Sequence, residues 1–239
     1  MAKVKHAVWC GTRNIYGDME TSAKSIIANS DVGKIWFLIE DEKFPNELPD
    51  MIECIDVSGQ QFFKPGTPNM ANGFTYMAMM RAALCHVLPD VDKALSLDAD
   101  VIALRDVSHV WDIPLDGCYF AAAHEWHRTT EDVIYCNHGV VLYNLAQMRD
   151  GKADEIIAEL NANPYTWVDQ DVGNYLCQGA IFDMPSEYNS NWWTDKNAQG
   201  ARIVHFAGIK RHQWVEKPEI LKYRDMPWDT VMWMHSLHK

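Results

Sequence analysis

Leu95-Ser96-Leu97-Asp98-Ala99-Asp100-Val101-Ile102-Ala103-Leu104 is an apolar run broken by two carboxylates one residue apart. Short, near-continuous hydrophobic runs are the signature of strands buried on both faces, so the residues flanking the acids read as a buried strand. Two acids this close repel each other unless a cation or a shared proton lies between them. Two readings are open at this point. The pair is an acidic turn at a strand end, or it is half of a hard-metal site facing a phosphate-bearing ligand.

Upstream, residues 4–10 read as a strand and 11–17 (Gly-Thr-Arg-Asn-Ile-Tyr-Gly) as a loop. A helix is expected over 18–29, with Met19, Ala23, Ile26 and Ile27 on one face. Strands are expected over 35–39 and 51–57. Alternation of strand and helix specifies an α/β fold: a mostly parallel central sheet covered by helices, with ligands bound beyond the carboxyl ends of the strands. The loop over 11–17 and the acidic pair both lie at such ends. Immediately before the acidic run, residues 71–88 read as one helix, apolar nearly all round, with Arg81 its only formal charge. Arg81 falls in the stripe formed by Phe74, Met77, Ala78, Leu84, Cys85 and Leu88. A guanidinium there either snorkels to the surface or meets an anion, and the nearest candidates are the acidic pair and a phosphate held beside it.

Downstream, residues 119–123 and 137–145 read as strands, the second with a polar mouth at Asn137 and His138 and leading into an amphipathic helix that ends near Leu160. Trp167-Val168-Asp169-Gln170-Asp171-Val172 opens another helix, where acids suit the first turn. The segment over 202–212 is a strand ending in an imidazole, His205, followed by Gly208 and the basic pair Lys210-Arg211. A strand-end histidine is often structural; here the glycine and the basic pair also suit a loop wrapped around a diphosphate.

The 33 acidic against 21 basic residues leave a formal charge of −12. That balance repels nucleic-acid backbones, so no nucleic-acid partner is expected, and an anionic substrate would need a local metal or placed cations. The six cysteines form no CxxC pair, which argues against a zinc ribbon or disulfide framework and for reduced thiols. The basic start, Met1 to Lys5, leads straight into the first strand. No leader or membrane-spanning run is expected, and the localisation read from this is cytoplasmic. Ten tryptophans are many for 239 residues; most suit packing, and exposed ones suit sugar rings.

Taken together these stretches resemble glycosyltransferase family 8, the retaining enzymes that include glycogenin and the bacterial lipooligosaccharide galactosyltransferases. The resemblance runs from Trp9 to about Trp214. Leu97-Asp98-Ala99-Asp100-Val101 looks like the family's DxD motif, and Arg81 stands at the matching spacing before it. Asn137-His138-Gly139-Val140 is similar to its Asn-Ser-Gly-Val stretch, Asp169-Gln170-Asp171 to its Asp-Gln-Asp run, and His205-Phe206-Ala207-Gly208 to its His-Tyr-Thr-Gly loop. Each motif is weak alone, and five in order are specific.

The resemblance implies a single GT-A (Rossmann-like) domain over 1–239, with a nucleotide-binding half over 1–104 and a sugar and acceptor half over 105–239. It implies a UDP-hexose donor and a divalent cation, Mn2+ or alternatively Mg2+, held by Asp98, Asp100 and His205; two carboxylates and an imidazole suit manganese. Thr12, Asn14 and Tyr16 would line the nucleotide pocket with Ala99 of the DxD turn, and Arg81 would brace that turn. Asn137, Asp169 and Gln170 would face the transferred sugar, the last two as catalytic residues. Gly208, Lys210 and Arg211 would hold the diphosphate. Three features depart from the family pattern: Thr12-Arg13 stands where acids are common, His138 replaces a small residue, and Arg211 matches the phosphate-binding lysine by count with Lys210 one residue earlier. The acceptor, whether glycan, protein or lipid-linked, and the oligomeric state are not readable in the sequence.

Competing readings have identifiable signatures. A sugar nucleotidyltransferase would have more glycines after Gly11 and a following Pro-Lys element. A haloacid-type phosphohydrolase would carry its DxD near the N-terminus. A nucleotide-sugar-binding protein without turnover would not need the acids, His205 and Gln170 intact.

Overall fold

The computed structural model describes residues 3–71, 75–195 and 200–239; Met1 and Ala2 of the basic start and Phe74 of the apolar stripe lie outside the described residues. The chain runs β1 (His6–Cys10), α1 (Tyr16–Ala28), β2 (Lys34–Ile39), β3 (Ile52–Asp56), α2 (Tyr76–Met79), α3 (Leu84–Val87), β4 (Lys93–Leu97), β5 (Val101–Ala103), β6 (Phe120–His124) and β7 (Cys136–Asn144). It continues through α4 (Leu145–Met148), α5 (Lys152–Ala162), α6 (Val168–Leu176), β8 (Ile181–Asp183), β9 (Ile203–His205), α7 (Arg211–Trp214), α8 (Pro218–Arg224) and α9 (Trp228–Ser236).

Seven strands form one sheet in the order β3-β2-β1-β4-β7-β6-β8. β1 is parallel to β2 and β4, β2 to β3, and β6 to β8, whereas β7 is antiparallel to both β4 and β6. The reversal of β7 alone matters for function. It brings the start of β7, Asn137 and His138, to the edge where β4 ends, with Val140 paired to Leu97.

Both faces of the sheet are covered. Trp9, Phe37 and Leu95 point into one core with Ile26, Ile27, Tyr223 and Val231 of the helices α1, α8 and α9. Val8, Leu38 and Ala94, one residue out of phase, point into a second core with Met80, Leu84, Leu160 and Val172. The period of two in side-chain direction divides each hydrophobic run between two layers, which is why these strands carry almost no polar residues.

Three expectations change. The run over 95–104 is not one strand: the chain turns at Asp98–Asp100, and Val101–Ala103 leaves the main sheet to pair antiparallel with β9 in a separate two-stranded ribbon. The break falls at the carboxylates because their side chains must reach the open edge, where a continued strand would bury them. The expected single helix over 71–88 is instead, among the described residues, a pair of short α-helical turns joined by a 3₁₀ stretch, Met80–Ala83. The winding thus tightens where Arg81 crosses toward the site. The helix expected to reach Leu160 breaks at Gly151, whose φ of 113° lies in the left-handed region that glycine tolerates.

Candidate active site

β4 delivers Asp98 and Asp100 on its terminal turn, and β9 delivers His205. The ribbon sets their spacing, since Val101 pairs with His205 and the Phe206 amide donates to the Asp100 carbonyl at 3.0 Å. His205 Nε2 lies 3.5 Å from Asp98 Oδ2 and 3.3 Å from Asp100 Oδ1. One ligand atom from each of the three residues falls within 4.8 Å of the others. His205 Nδ1 is 2.9 Å from Asn189 Oδ1, a buried amide. An imidazole that donates from Nδ1 to this oxygen leaves the Nε2 lone pair facing the two acids, the arrangement a metal-ligating histidine requires. The donor set fits a hard divalent cation.

Electrostatics around the turn are strongly coupled. Burial pushes the Asp98 carboxyl up, but the Arg81 guanidinium, His205 and His138 together outweigh it and hold the group below the usual carboxylate range. Burial lowers His205, and the facing Asp100 and Asp98 carboxylates override it, raising the imidazole to about 9. Arg81 donates to Asp98 Oδ1 and to the His138 carbonyl, and its Nε is 3.8 Å from Asp169 Oδ2. Its side chain is only 11% exposed, so it does not snorkel.

A polar chain leads from the histidine across the cleft. Asn189 Nδ2 donates to Asn137 Oδ1 at 3.0 Å, and Asn137 Nδ2 donates to Glu125 Oε1 at 2.9 Å. Gln170 Nε2 reaches the same Glu125 oxygen at 3.3 Å and the Tyr135 hydroxyl at 3.1 Å, while its Oε1 accepts from the His138 amide at 3.0 Å. Every polar atom of the Gln170 amide is therefore oriented. Burial and a hydrogen bond to Asp171 push Tyr135 well above the usual phenol range. Just before Asp169, Val168 has φ of +31°, the only non-glycine residue with positive φ among the described residues. A β-branched residue held there is strained, and the strain lies beside the residues that line the cleft.

Of the residues singled out in the sequence, Arg81, Asp98, Asp100, Asn137, Asp169, Gln170, His205 and Gly208 line one cleft. Thr12 and Asn14 are bonded to each other on the loop after β1, outside that lining. Tyr16 is also outside that lining: its ring is buried against Phe44, and its hydroxyl donates to Asp41 at 2.8 Å and accepts from the Glu40 amide at 3.0 Å. Arg211 is paired with Asp18 at 2.6 and 2.8 Å and is outside the lining of the cleft, and Lys210 is exposed at the start of α7. Ala99 sits on the DxD turn without lining the cleft.

The profile of glycosyl transferase family 8 matches residues 10–215. The chain belongs to that family. It is 27% identical over 171 residues to lipopolysaccharide 1,2-glucosyltransferase of Escherichia coli (strain K12), covering 58% of this chain and 51% of that protein. It is 25% identical over 230 residues to glycosyltransferase GlyB of Streptococcus pneumoniae serotype 4 (strain ATCC BAA-334 / TIGR4), covering 90% and 53%. The chain thus spans about half the length of the curated relatives it matches. The crystal structure of galactosyltransferase LgtC in complex with donor and acceptor sugar analogs superposes with a TM-score of 0.74 at 19% identity, over 94% of this chain and 98% of that one. The fold of this family 8 chain is therefore GT-A.

Two further buried residues, bonded to the cleft side chains Asn137, Gln170 and His205, were not singled out in the sequence. Glu125 follows β6 in an alanine-rich stretch, and an acid just past the carboxyl end of a parallel-running strand is the feature that marks it. Asn189 lies in an irregular segment between β8 and β9, where no periodicity points to it. Both are buried because the side chains they satisfy come from distant parts of the family 8 chain.

Proposed function

We propose that this chain is a metal-dependent retaining glycosyltransferase that moves a hexose from a UDP-hexose to an acceptor hydroxyl. The convergence of Asp98, Asp100 and His205 on one side of a cleft whose other side carries Asn137, Asp169 and Gln170 carries this reading. Asp98, Asp100 and His205 would hold the cation, Mn2+ in preference to Mg2+ because an imidazole is among the ligands. When bound, the cation supplies Lewis-acid stabilisation of charge on the departing diphosphate.

The chain's own residues do the rest. Arg81 neutralises Asp98 from behind and fixes the turn that presents the acids. The Gly208 backbone can approach the diphosphate closely, and the exposed Lys210 suits it better than Arg211, which is engaged with Asp18. Thr12, Asn14 and the Ala99 turn lie at the sheet edge where the nucleoside would extend. As the bond from the anomeric carbon to the phosphate oxygen breaks, its electron pair leaves with UDP. The acceptor oxygen attacks the anomeric carbon from the same face and passes its proton to the departing phosphate oxygen. Gln170, with its amide fixed by Glu125, Tyr135 and the His138 amide, stabilises the electron-poor sugar. Asp169, only 6% exposed and facing Arg81, suits a sugar-hydroxyl partner better than a nucleophile. The six free cysteines support a reducing, cytoplasmic location; among the described residues, no helix is long and apolar enough to cross a membrane.

Donor hydrolysis across UDP- and GDP-hexoses, with Mn2+ and with EDTA, tests the reading. Release of UDP only with metal supports it, and release from neither donor class overturns it.

A further inference from the structure

His138 serves the site described above through its backbone: its amide donates to Gln170 Oε1 and its carbonyl accepts from Arg81. Its side chain has no part in that scheme, yet it is a bulky polar group, only 2% exposed, where the family pattern has a small residue. The ring is gripped on two sides. It meets Phe120 edge-on, with centroids 5.1 Å apart and planes at 79°. The Gly173 backbone lies so close to Cε1 that a Cβ there would be 2.6 Å away. An imidazole clamped in this way has one orientation, and it sets Nδ1 3.6 Å from Asp169 Oδ2.

Both atoms are buried, and among the described residues neither has a hydrogen-bond partner. A buried carboxylate oxygen without a donor loses its hydration unreturned, so the orphaned acceptor and the orphaned nitrogen are complementary. Arg81 does not fill the gap: its terminal nitrogens serve Asp98 and the His138 carbonyl, and its Nε stands 3.8 Å from Asp169. Solvent does not fill it for both. The void behind the pair, bounded by Phe120, Tyr143, Met148 and Ile156, measures about 10 Å3, room for one water at most. An approach of about 0.7 Å turns the contact into a hydrogen bond, and bonds that serve a reaction tighten in the complex with substrate. Resting on the glycosyltransferase reading above, we propose that His138 is a positioning residue: in the donor complex it donates from Nδ1 to Asp169 Oδ2, locks the carboxylate, and leaves Oδ1 to accept one hydroxyl of the transferred hexose.

The consequence is selectivity by hydroxyl. A carboxylate free to rotate presents either oxygen and accepts from hydroxyls at several positions of a sugar ring. One held at Oδ2 presents a single oxygen in one direction and reads a single position. A site built to bond one hydroxyl rejects the analogue that lacks it, because the buried acceptor is then left unpaired. His138 touches no sugar atom in this scheme. It acts through Asp169, and the two side chains together form the wall between the cleft and the void.

The test uses the full chain with MnCl2, titrated by calorimetry with UDP, UDP-glucose, UDP-galactose and forms of each lacking one sugar hydroxyl at a time. His138→Phe keeps the ring shape and removes both nitrogens; His138→Asn keeps a donor near the Nδ1 position. The preferred UDP-hexose should bind His138→Phe about tenfold more weakly, with UDP itself bound as in the wild type. One deoxy donor should bind wild type and His138→Phe alike, because the hydroxyl that Asp169 reads is already gone, and His138→Asn should recover most of the loss. A merely structural role would weaken UDP and every donor together, and that result overturns the proposal, as does wild-type hexose affinity in His138→Phe. Nitrogen NMR of histidine-labelled wild-type protein with the UDP-hexose bound needs no variant. A proton on Nδ1 supports the proposal; a proton confined to Nε2 would aim a lone pair at the carboxylate and overturns it, even where His138→Phe fails to fold. A wild type that binds neither UDP nor any donor overturns the glycosyltransferase reading itself, whereas donor binding indifferent to His138 overturns this inference alone.

Discussion

The imidazole of His205 occupies the space above Gly139: a Cβ on that glycine would stand 2.0 Å from His205 Cε1. Gly139 lies on β7 and His205 on β9, in different sheets, so the third candidate metal ligand is seated by the absence of a side chain 66 positions away. Gly139→Ala should displace the imidazole and lower Mn2+ affinity by about tenfold or more, with far-ultraviolet circular dichroism unchanged. Asn189→Ala, which frees the ring to rotate, should act in the same direction through the 2.9 Å contact it removes. Electron paramagnetic resonance of free Mn2+ reads both, and wild-type affinity in Gly139→Ala would mean that His205 is not a ligand.

Arg81 lies between Asp98 and Asp169 and faces both. Arg81→Met should destabilise the protein by about 3–5 kcal/mol, because truncating one member of a buried ion pair leaves uncompensated charge behind. Arg81→Met/Asp169→Asn should recover part of that loss. Arg81→Lys should not rescue it, since a point charge cannot bridge Asp98 and the His138 carbonyl as a fork does. Urea unfolding measures all three; an Arg81→Met midpoint equal to wild type would refute the pairing.

His138 and Gly173 form a matched pair. A Cβ on Gly173 would lie 2.6 Å from His138 Cε1, and neither ring nitrogen of His138 has a hydrogen-bond partner among the described residues. Gly173→Ala should cost about 1–3 kcal/mol by overpacking. His138→Ser should relieve it, so the double variant should be more stable than Gly173→Ala alone. A double-mutant cycle reads the coupling, expected at about 0.5–3 kcal/mol, and additivity would show that the helix shifts instead.

Gln170→Ala should lower turnover with little change in UDP-hexose affinity, the pattern of a contact made chiefly in the transition state. Its product should keep the donor's anomeric configuration, read by proton NMR at early times. An inverted product would remove the retaining mechanism, and a glycosyl adduct on Asp169 would replace same-face attack with double displacement.

The α/β architecture was legible in residues 4–10, 35–39 and 95–97 because a parallel sheet covered on both faces leaves little room for polar residues in its strands. Asp98, Asp100 and Arg81 stood out because charges within apolar runs demand partners, and the structure places Arg81 against Asp98. The local pattern did not show that the strand ends at Leu97, that β7 runs against its neighbours, or that Tyr16 and Arg211 find partners in Asp41 and Asp18. Short-range periodicity reports which face of an element is buried, and it is silent on which distant element lies beyond that face. The meeting of Asp98 with His205 and of Asn137 with Glu125 and Asn189 depends on strand order and on the ribbon of β5 and β9. Such contacts join residues far apart in the chain, so their partners are chosen only when the sheet closes. What the sequence by itself determined was the layer architecture and the charges that layer cannot bury alone; the tertiary structure decided where those charges are answered.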